Sequence, residues 1–350
     1  MLPQKLTDWP SLRAIRFPMV LIGSLNVLLL GLASKLNFTK KKDQISNLLV
    51  VALYATLPLI VFGSRMALAD NLLATWLLLI MLVLKLKVKY LVYPLVVLAF
   101  LTKVQGAFLG LGLMIYFWLN GQKRQSLYSL IALSLGAGLF FLYGSFYNLR
   151  LFLAVQLGQS QRKIGFFTLA HRFFFHPTLA SHLWPTLEKP LLFLAGLIMI
   201  FKSRLKKKDA YLLPASFFIA YLIVALVAFD QLNINGWYEY AIYPVLFFGV
   251  RAVIKNLLDK PQPLKTWAIW LVLVMPMVGI TFNIFTGLNQ HLIKFMALVP
   301  AIGLIKVKNL RFQTGLIWLM FISLLIFSGL IILNLSPSNY SQIIFDLIQY

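Results

Sequence analysis

Long apolar runs separated by short basic gaps fill the chain, and that pattern leaves it few ways to fold. Runs of roughly 15 to 22 residues match the length a helix needs to cross a hydrocarbon core. Within such a core every backbone N–H and C=O must be satisfied inside its own segment, so runs of this length fold as helices. The pattern predicts an all-α, polytopic integral membrane protein of about twelve spans. Their expected limits are 15–36, 45–62, 71–86, 90–101, 105–119, 126–146, 189–203, 210–229, 241–255, 264–286, 291–306 and 313–334. Composition agrees, with 61% hydrophobic and 12% charged residues, where a soluble domain has about half and about a quarter. Cysteine is absent, which excludes disulfides, thiolate metal sites and cysteine nucleophiles.

Thirty-two Lys plus Arg against nine Asp plus Glu give a net charge of +23. Cytoplasmic loops retain basic residues, and here the clusters fall in alternate gaps: Lys35 with Lys40, Lys41 and Lys42; Lys85, Lys87 and Lys89; Lys123 and Arg124; Lys202 through Lys208; Arg251 through Lys265; Lys306 through Arg311. About 21 basic residues lie on that side and about 11 on the other, so the first side is expected to be cytoplasmic. On this reading the cytoplasmic clusters orient helices and carry no chemistry, and the charge does not call for nucleic acid. The segments 90–101 and 105–119 are each short for a span. With basic clusters at both far ends, they are expected to form a hairpin broken at Thr102-Lys103-Val104-Gln105-Gly106, its irregular backbone buried in protein. Both termini then fall outside, and nothing before Ile15 resembles a signal peptide. An earlier span preceding the recorded start is the expectation that follows.

One membrane domain over 1–350 is expected, with 1–14 and a tail at 335–350 external. Its exceptional feature is an external loop at 147–189, long for a simple connection and expected to carry short helices. That loop holds Arg162, Lys163, His171, Arg172, His176 and His182 among Phe166, Phe167, Phe173, Phe174 and Phe175. The histidine spacings match no metal-ligand signature. Arg forks and Lys point charges suit phosphate oxygens, and the same residues suit lipid headgroups, with aromatics inserted beside them.

Three further positions carry charge where charge is costly. Asp70 opens the third span, either as a carboxylate favoured by the helix dipole and paired with Arg65, or as a base or metal-binding acid at a cavity mouth. Lys103 lies in the hairpin break, either snorkelling to the interface or meeting an anionic headgroup. Glu239 sits in Gly236-Trp237-Tyr238-Glu239-Tyr240-Ala241-Ile242-Tyr243-Pro244, a segment that an aromatic belt accounts for, although an acid between aromatics also suits a sugar or a cation. There is no phosphate-binding Gly-rich loop, no G-x-S-x-G, no H-E-x-x-H and no dinucleotide fingerprint.

The chain resembles the GT-C superfamily of polytopic glycosyltransferases, the protein mannosyltransferases and bacterial aminoarabinose transferases of the family 39 type. The resemblance rests on Leu12-Arg13-Ala14-Ile15-Arg16-Phe17-Pro18 leading into a span, on Ser64-Arg65-Met66-Ala67-Leu68-Ala69-Asp70, on Leu101-Thr102-Lys103, and on the Gly236–Pro244 segment. It covers roughly residues 10 to 250, and the order and membrane placement of these short motifs carry it. Family members begin with one more helix and a first external loop that holds the catalytic acid. Here Asp8 is the acid left before the first span, so that helix and most of that loop are expected to lie outside the recorded chain.

What the resemblance implies is inverting transfer of a sugar from a polyprenyl-phosphate donor to a protein, lipid or glycan acceptor on the external face of the cell membrane. Lys103, Arg162, Lys163 and Arg172 would bind the donor phosphate. Asp70 would act as the catalytic carboxylate or hold a divalent cation, and Arg65, His171, Tyr238, Glu239 and Tyr240 would line the substrate. The competing reading is a transporter or flippase of a lipid-linked anion, using the same groups without chemistry.

Overall fold

The computed structural model describes residues 12–40, 43–57, 69–160, 188–205, 209–228, 239–259 and 312–320, with a few isolated positions between them. The regular elements among them are helical: α1 (Leu12–Asn37), α2 (Gln44–Thr56), α3 (Ala69–Lys85), α4 (Val92–Thr102), α5 (Ala107–Leu119), α6 (Lys123–Ser160), α7 (Glu188–Ser203), α8 (Leu212–Ala228) and α9 (Tyr243–Asp259), with 3₁₀ turns at Lys89–Leu91 and Val104–Gly106. The described residues are all-α, as the apolar runs predict. Two of the helices are long and apolar enough to cross a membrane, Phe17–Asn37 and Lys123–Phe146. The expected spans at 264–286 and 291–306 lie outside the described residues.

Several helices turn apolar side chains outward. On α1, Leu21, Leu25, Leu28 and Leu32 form an exposed stripe at helical spacing, and α6 exposes Leu127, Ile131, Leu135 and Leu142. A water-soluble helix puts polar residues on its outer face, and apolar patches of this extent mark contact with lipid or protein. Inside, Leu30, Leu77, Leu78, Met81, Val96, Leu109, Phe217, Tyr221 and Phe247 belong to one continuous core.

Side-chain contacts fix the relative directions of α4, α5 and α6. Tyr93 meets Tyr128 at 5.9 Å and Phe100 meets Phe140 at 5.9 Å, so α4 runs parallel to α6. Along α5 the order reverses: a Cβ on Gly110 would touch Leu133, while Ser126 Oγ donates to the Met114 carbonyl at 3.0 Å. Hence α4 and α5 form the hairpin expected from the basic flanks. Their 11 and 13 residues reach only about 17 and 20 Å at 1.5 Å per residue. α8 descends along α5, with Phe108 edge-on to Tyr221 at 5.6 Å. The result is a bundle with a basic end, holding Lys85, Lys87, Lys89 and Lys123, and an opposite end holding the hairpin tip.

Residues 147–160, expected as the start of the external loop, are helical up to Ser160. Asn148 breaks the regularity of α6 with φ −167° and ψ 95°, and its Oδ1 accepts from the Leu151 N–H at 2.9 Å, capping a second piece. That piece folds back: Phe152 lies 5.4 Å from the Phe140 ring and 5.5 Å from Phe141.

α7 and α9 approach so closely that a Cβ on Gly249 would sit 2.1 Å from the Ala195 carbonyl oxygen. Gly249→Ala must therefore separate the two helices, at a cost of about 1–3 kcal/mol. Thermal unfolding in detergent should show it, and an unchanged midpoint would mean that α7 and α9 do not pack this tightly.

The basic end contains a correction to the sequence reading. Arg251, counted there among charges that only orient helices, is 1% exposed. Its Nε donates to Asn47 Oδ1 at 2.6 Å and its Nη1 to the Tyr211 hydroxyl at 2.8 Å. Nη2 lies 3.3 Å from Asp43, and the guanidinium stacks 3.4 Å from the centre of the Phe38 ring. Lys255 bridges Asp43 at 3.0 Å and Asp259 at 2.9 Å. One side chain thus ties α9 to the α1–α2 turn, to α2 and to the start of α8.

Candidate functional site

At the other end of the bundle, the hairpin break follows from its residues. Lys103 is extended, with φ −166° and ψ 138°, and so ends α4. The chain then turns through Val104–Gly106, where the Gly106 N–H donates to the Lys103 carbonyl at 2.7 Å. A Cβ on Gly106 would lie 2.3 Å from the Ala99 carbonyl oxygen, so the reversal needs glycine at this point. Gly106→Ala should push the arms apart, destabilising the fold by about 1–3 kcal/mol and displacing Lys103. Unfolding and substrate binding measured together check it, and a variant unchanged in both would contradict the tight reversal.

Two contacts hold the break against α3. Trp76 Nε1 donates to Thr102 Oγ1 at 3.0 Å. One position further on, Lys103 Nζ donates to both oxygens of Asp70, at 2.9 and 2.8 Å. Asp70 is 1% exposed and the Lys103 side chain 26%. The ammonium is therefore held by a buried carboxylate while its side chain stays partly exposed. α3 itself is fastened to α1 by polar groups that sequence reasoning missed: Asn26 Nδ2 donates to the Asn71 carbonyl at 3.1 Å, and Thr75 Oγ1 to Asn26 Oδ1 at 2.8 Å. Three small polar residues inside apolar runs were the available signal.

The Glu239 segment comes to the same end. Glu239 is fully buried and Tyr240 is 4% exposed, and the Tyr243 hydroxyl donates to Glu239 Oε2 at 3.2 Å. Tyr240 stacks edge-on to Tyr243 at 5.4 Å. Burial, then the charges of Glu239 and Asp70, push the Tyr240 hydroxyl well above the ordinary phenol range, so it stays neutral at any physiological pH. Aromatic-belt residues would face outward; these point into the bundle.

Of the residues expected to form a site, the structure pairs Asp70 with Lys103 and buries Glu239 and Tyr240 at the same end of the bundle. Arg65, Arg162, Lys163, His171, Arg172 and Tyr238 lie outside the described residues. Among the described residues no three His, Cys, Asp or Glu side chains gather to hold a metal ion. Chemically, the arrangement offers a partly exposed lysine held by a buried carboxylate, and a neutral phenol next to a second acid. No protein-family model, curated protein or solved structure matches the chain.

Proposed function

We propose that the chain is a membrane glycosyltransferase that moves a sugar from a polyprenyl-phosphate donor to an acceptor on the external face of the cell membrane. The observation that supports this reading is a lysine held by a buried carboxylate at the break of a hairpin whose arms both return to the basic end. The topology belonging to it has about twelve spans, with the basic end cytoplasmic and the break facing outward, where a lipid-linked donor presents its phosphate. A nucleotide sugar would be on the other side.

In the reaction, an acceptor hydroxyl attacks the sugar's anomeric carbon as the bond from that carbon to the phosphate oxygen breaks. Polyprenyl phosphate leaves, and its charge needs a cation in place beforehand. Lys103 serves that need, with Arg162, Lys163 and Arg172 as further phosphate ligands. Drawn toward the phosphate, Lys103 releases an oxygen of Asp70, which orients the acceptor hydroxyl and takes its proton. Arg65, His171, Tyr238, Glu239 and Tyr240 complete the sugar and acceptor site.

The test is incubation of the reconstituted protein with radiolabelled polyprenyl-phosphate sugars. Label should leave the lipid, and Asp70→Asn should slow that transfer by about 100-fold or more. Label that crosses the bilayer still attached to its lipid would instead identify a transporter of the same anion.

A further inference from the structure

A second feature lies at the basic end, away from Asp70 and Lys103. Between the return arm α5 and the start of α6 runs a groove of about 490 Å³ whose walls include Met114, Ile115, Trp118, Leu127 and Leu130. Trp118 is 61% exposed, Leu127 54% and Leu130 44%, so the groove opens outward from the bundle. Lys123 stands at its rim, the ammonium 5.9 Å from the centre of the Trp118 ring. No acid is among the lining residues. Arg124, next in sequence and also exposed, adds a second cation.

The groove runs along the first turns, Lys123 to Leu130, of the segment Lys123–Phe146, which among the described residues is one of two helices long and apolar enough to cross a membrane. Its apolar wall thus runs along the direction of acyl chains and ends in cations where headgroups would lie. An occupant must then be apolar along its length and anionic at one end. Cations at the mouth of an apolar recess between membrane helices recognise phosphate-bearing headgroups, and the first turn of a helix adds its own attraction for an anion. On the other side of α6 a groove of about 610 Å³, with Tyr93, Val97, Tyr128 and Ile131 in its walls, has no cation in its lining. Of these two grooves, only the one between α5 and α6 carries a cation.

We propose that the α5–α6 groove binds an anionic phospholipid, its acyl chains against Trp118, Leu127 and Leu130 and its phosphate at Lys123 and Arg124. The site is independent of sugar transfer, since the Asp70–Lys103 pair is at the opposite end of the bundle. A lipid here braces the hairpin against α6 from outside.

The experiment uses the full chain in phosphatidylcholine vesicles to which phosphatidylglycerol or phosphatidylcholine with brominated acyl chains is added. Quenching at Trp118 is isolated as the difference between the wild type and Trp118→Phe. Brominated phosphatidylglycerol should reach half-maximal quenching at a mole fraction at least about five-fold lower than the brominated neutral lipid, the effect of one cation near the surface. Lys123→Gln/Arg124→Gln, at two exposed positions, should unfold at the wild-type temperature and lose the preference. Equal quenching by the two lipids in the wild type, or a preference that survives the double variant, would overturn the proposal. So would absence of quenching by either lipid, with cross-linking through Leu127→Cys joining two copies, because protein would then cover the groove.

Discussion

Arg251→Met should lower the stability of the folded chain by about 3 kcal/mol, the lower end of the range for breaking a buried charge pair. The lower end applies because Asp43 keeps Lys255 at 3.0 Å. Asn47 and Tyr211 each lose a charge-assisted hydrogen bond, and Phe38 loses a cation stacked at 3.4 Å. Arg251→Lys should recover only a part, since a single ammonium cannot reach three partners in a fixed fork. Thermal unfolding in detergent measures both, and a midpoint for Arg251→Met within a degree or so of wild type would mean that the network does not hold the basic end together. The same network makes stability fall in acid. Burial would raise the Asp43 carboxyl, but the hydrogen bond from Lys255 and the charges of Arg251 and Lys255 outweigh it and hold the carboxyl below its ordinary value of 3.8. A carboxylate held low contributes stability that is present above its unfolded value and lost as pH falls through its folded one. The contribution of Asp43 should therefore begin to decline as the pH falls below 3.8 and be gone only below its lower folded value, and it should be absent at every pH in Asp43→Asn.

The second large effect is an asymmetry between the partners of the other pair. Lys103→Met leaves Asp70, 1% exposed, as a buried carboxylate without its ammonium, a loss of about 3–5 kcal/mol. Asp70→Asn should cost less, because the Lys103 side chain is 26% exposed and can turn toward water. Asp70→Asn/Lys103→Met, which removes both charges together, should regain most of the stability and none of the sugar transfer. A double-variant cycle on unfolding, with transfer assayed in parallel, checks both. If the two single variants were equally destabilised, the burial of Asp70 would not be the cause. If the double variant transferred sugar, neither residue would take part.

What the sequence made legible follows from how far each signal reaches along the chain. The helix break at Thr102–Gly106 could be read because it rests on local facts, two short apolar arms with basic residues at both far ends. Asp70 and Lys103 could each be singled out as charges in costly places. Their pairing could not, because they stand 33 positions apart and no helical spacing joins them; the partner considered for Asp70 was the nearby Arg65. Arg251 shows the opposite failure. It sits among loop-flanking cations, and a count of charges by side treats it as one of them. Its hydrogen-bond partners are 40 and 204 positions away, so only the folded bundle shows that the guanidinium is buried and paired. Glu239 was visible as an acid among aromatics, yet an aromatic belt at the interface and a buried acid ringed by tyrosines share the same local sequence.

The central claim is that the broken hairpin carries Lys103 to the face opposite the basic end and there meets a lipid-linked phosphate. Because the chain contains no cysteine, single thiols can report on it without background. Val104→Cys, at a position 39% exposed beside Lys103, and Lys123→Cys at the basic end would each be probed in intact cells with a membrane-impermeant thiol reagent. The account predicts that Val104→Cys is labelled from outside and protected by added polyprenyl-phosphate sugar, while Lys123→Cys reacts only after the membrane is opened. Labelling of both from the same side, or of Val104→Cys at a rate the lipid donor leaves unchanged, would contradict it.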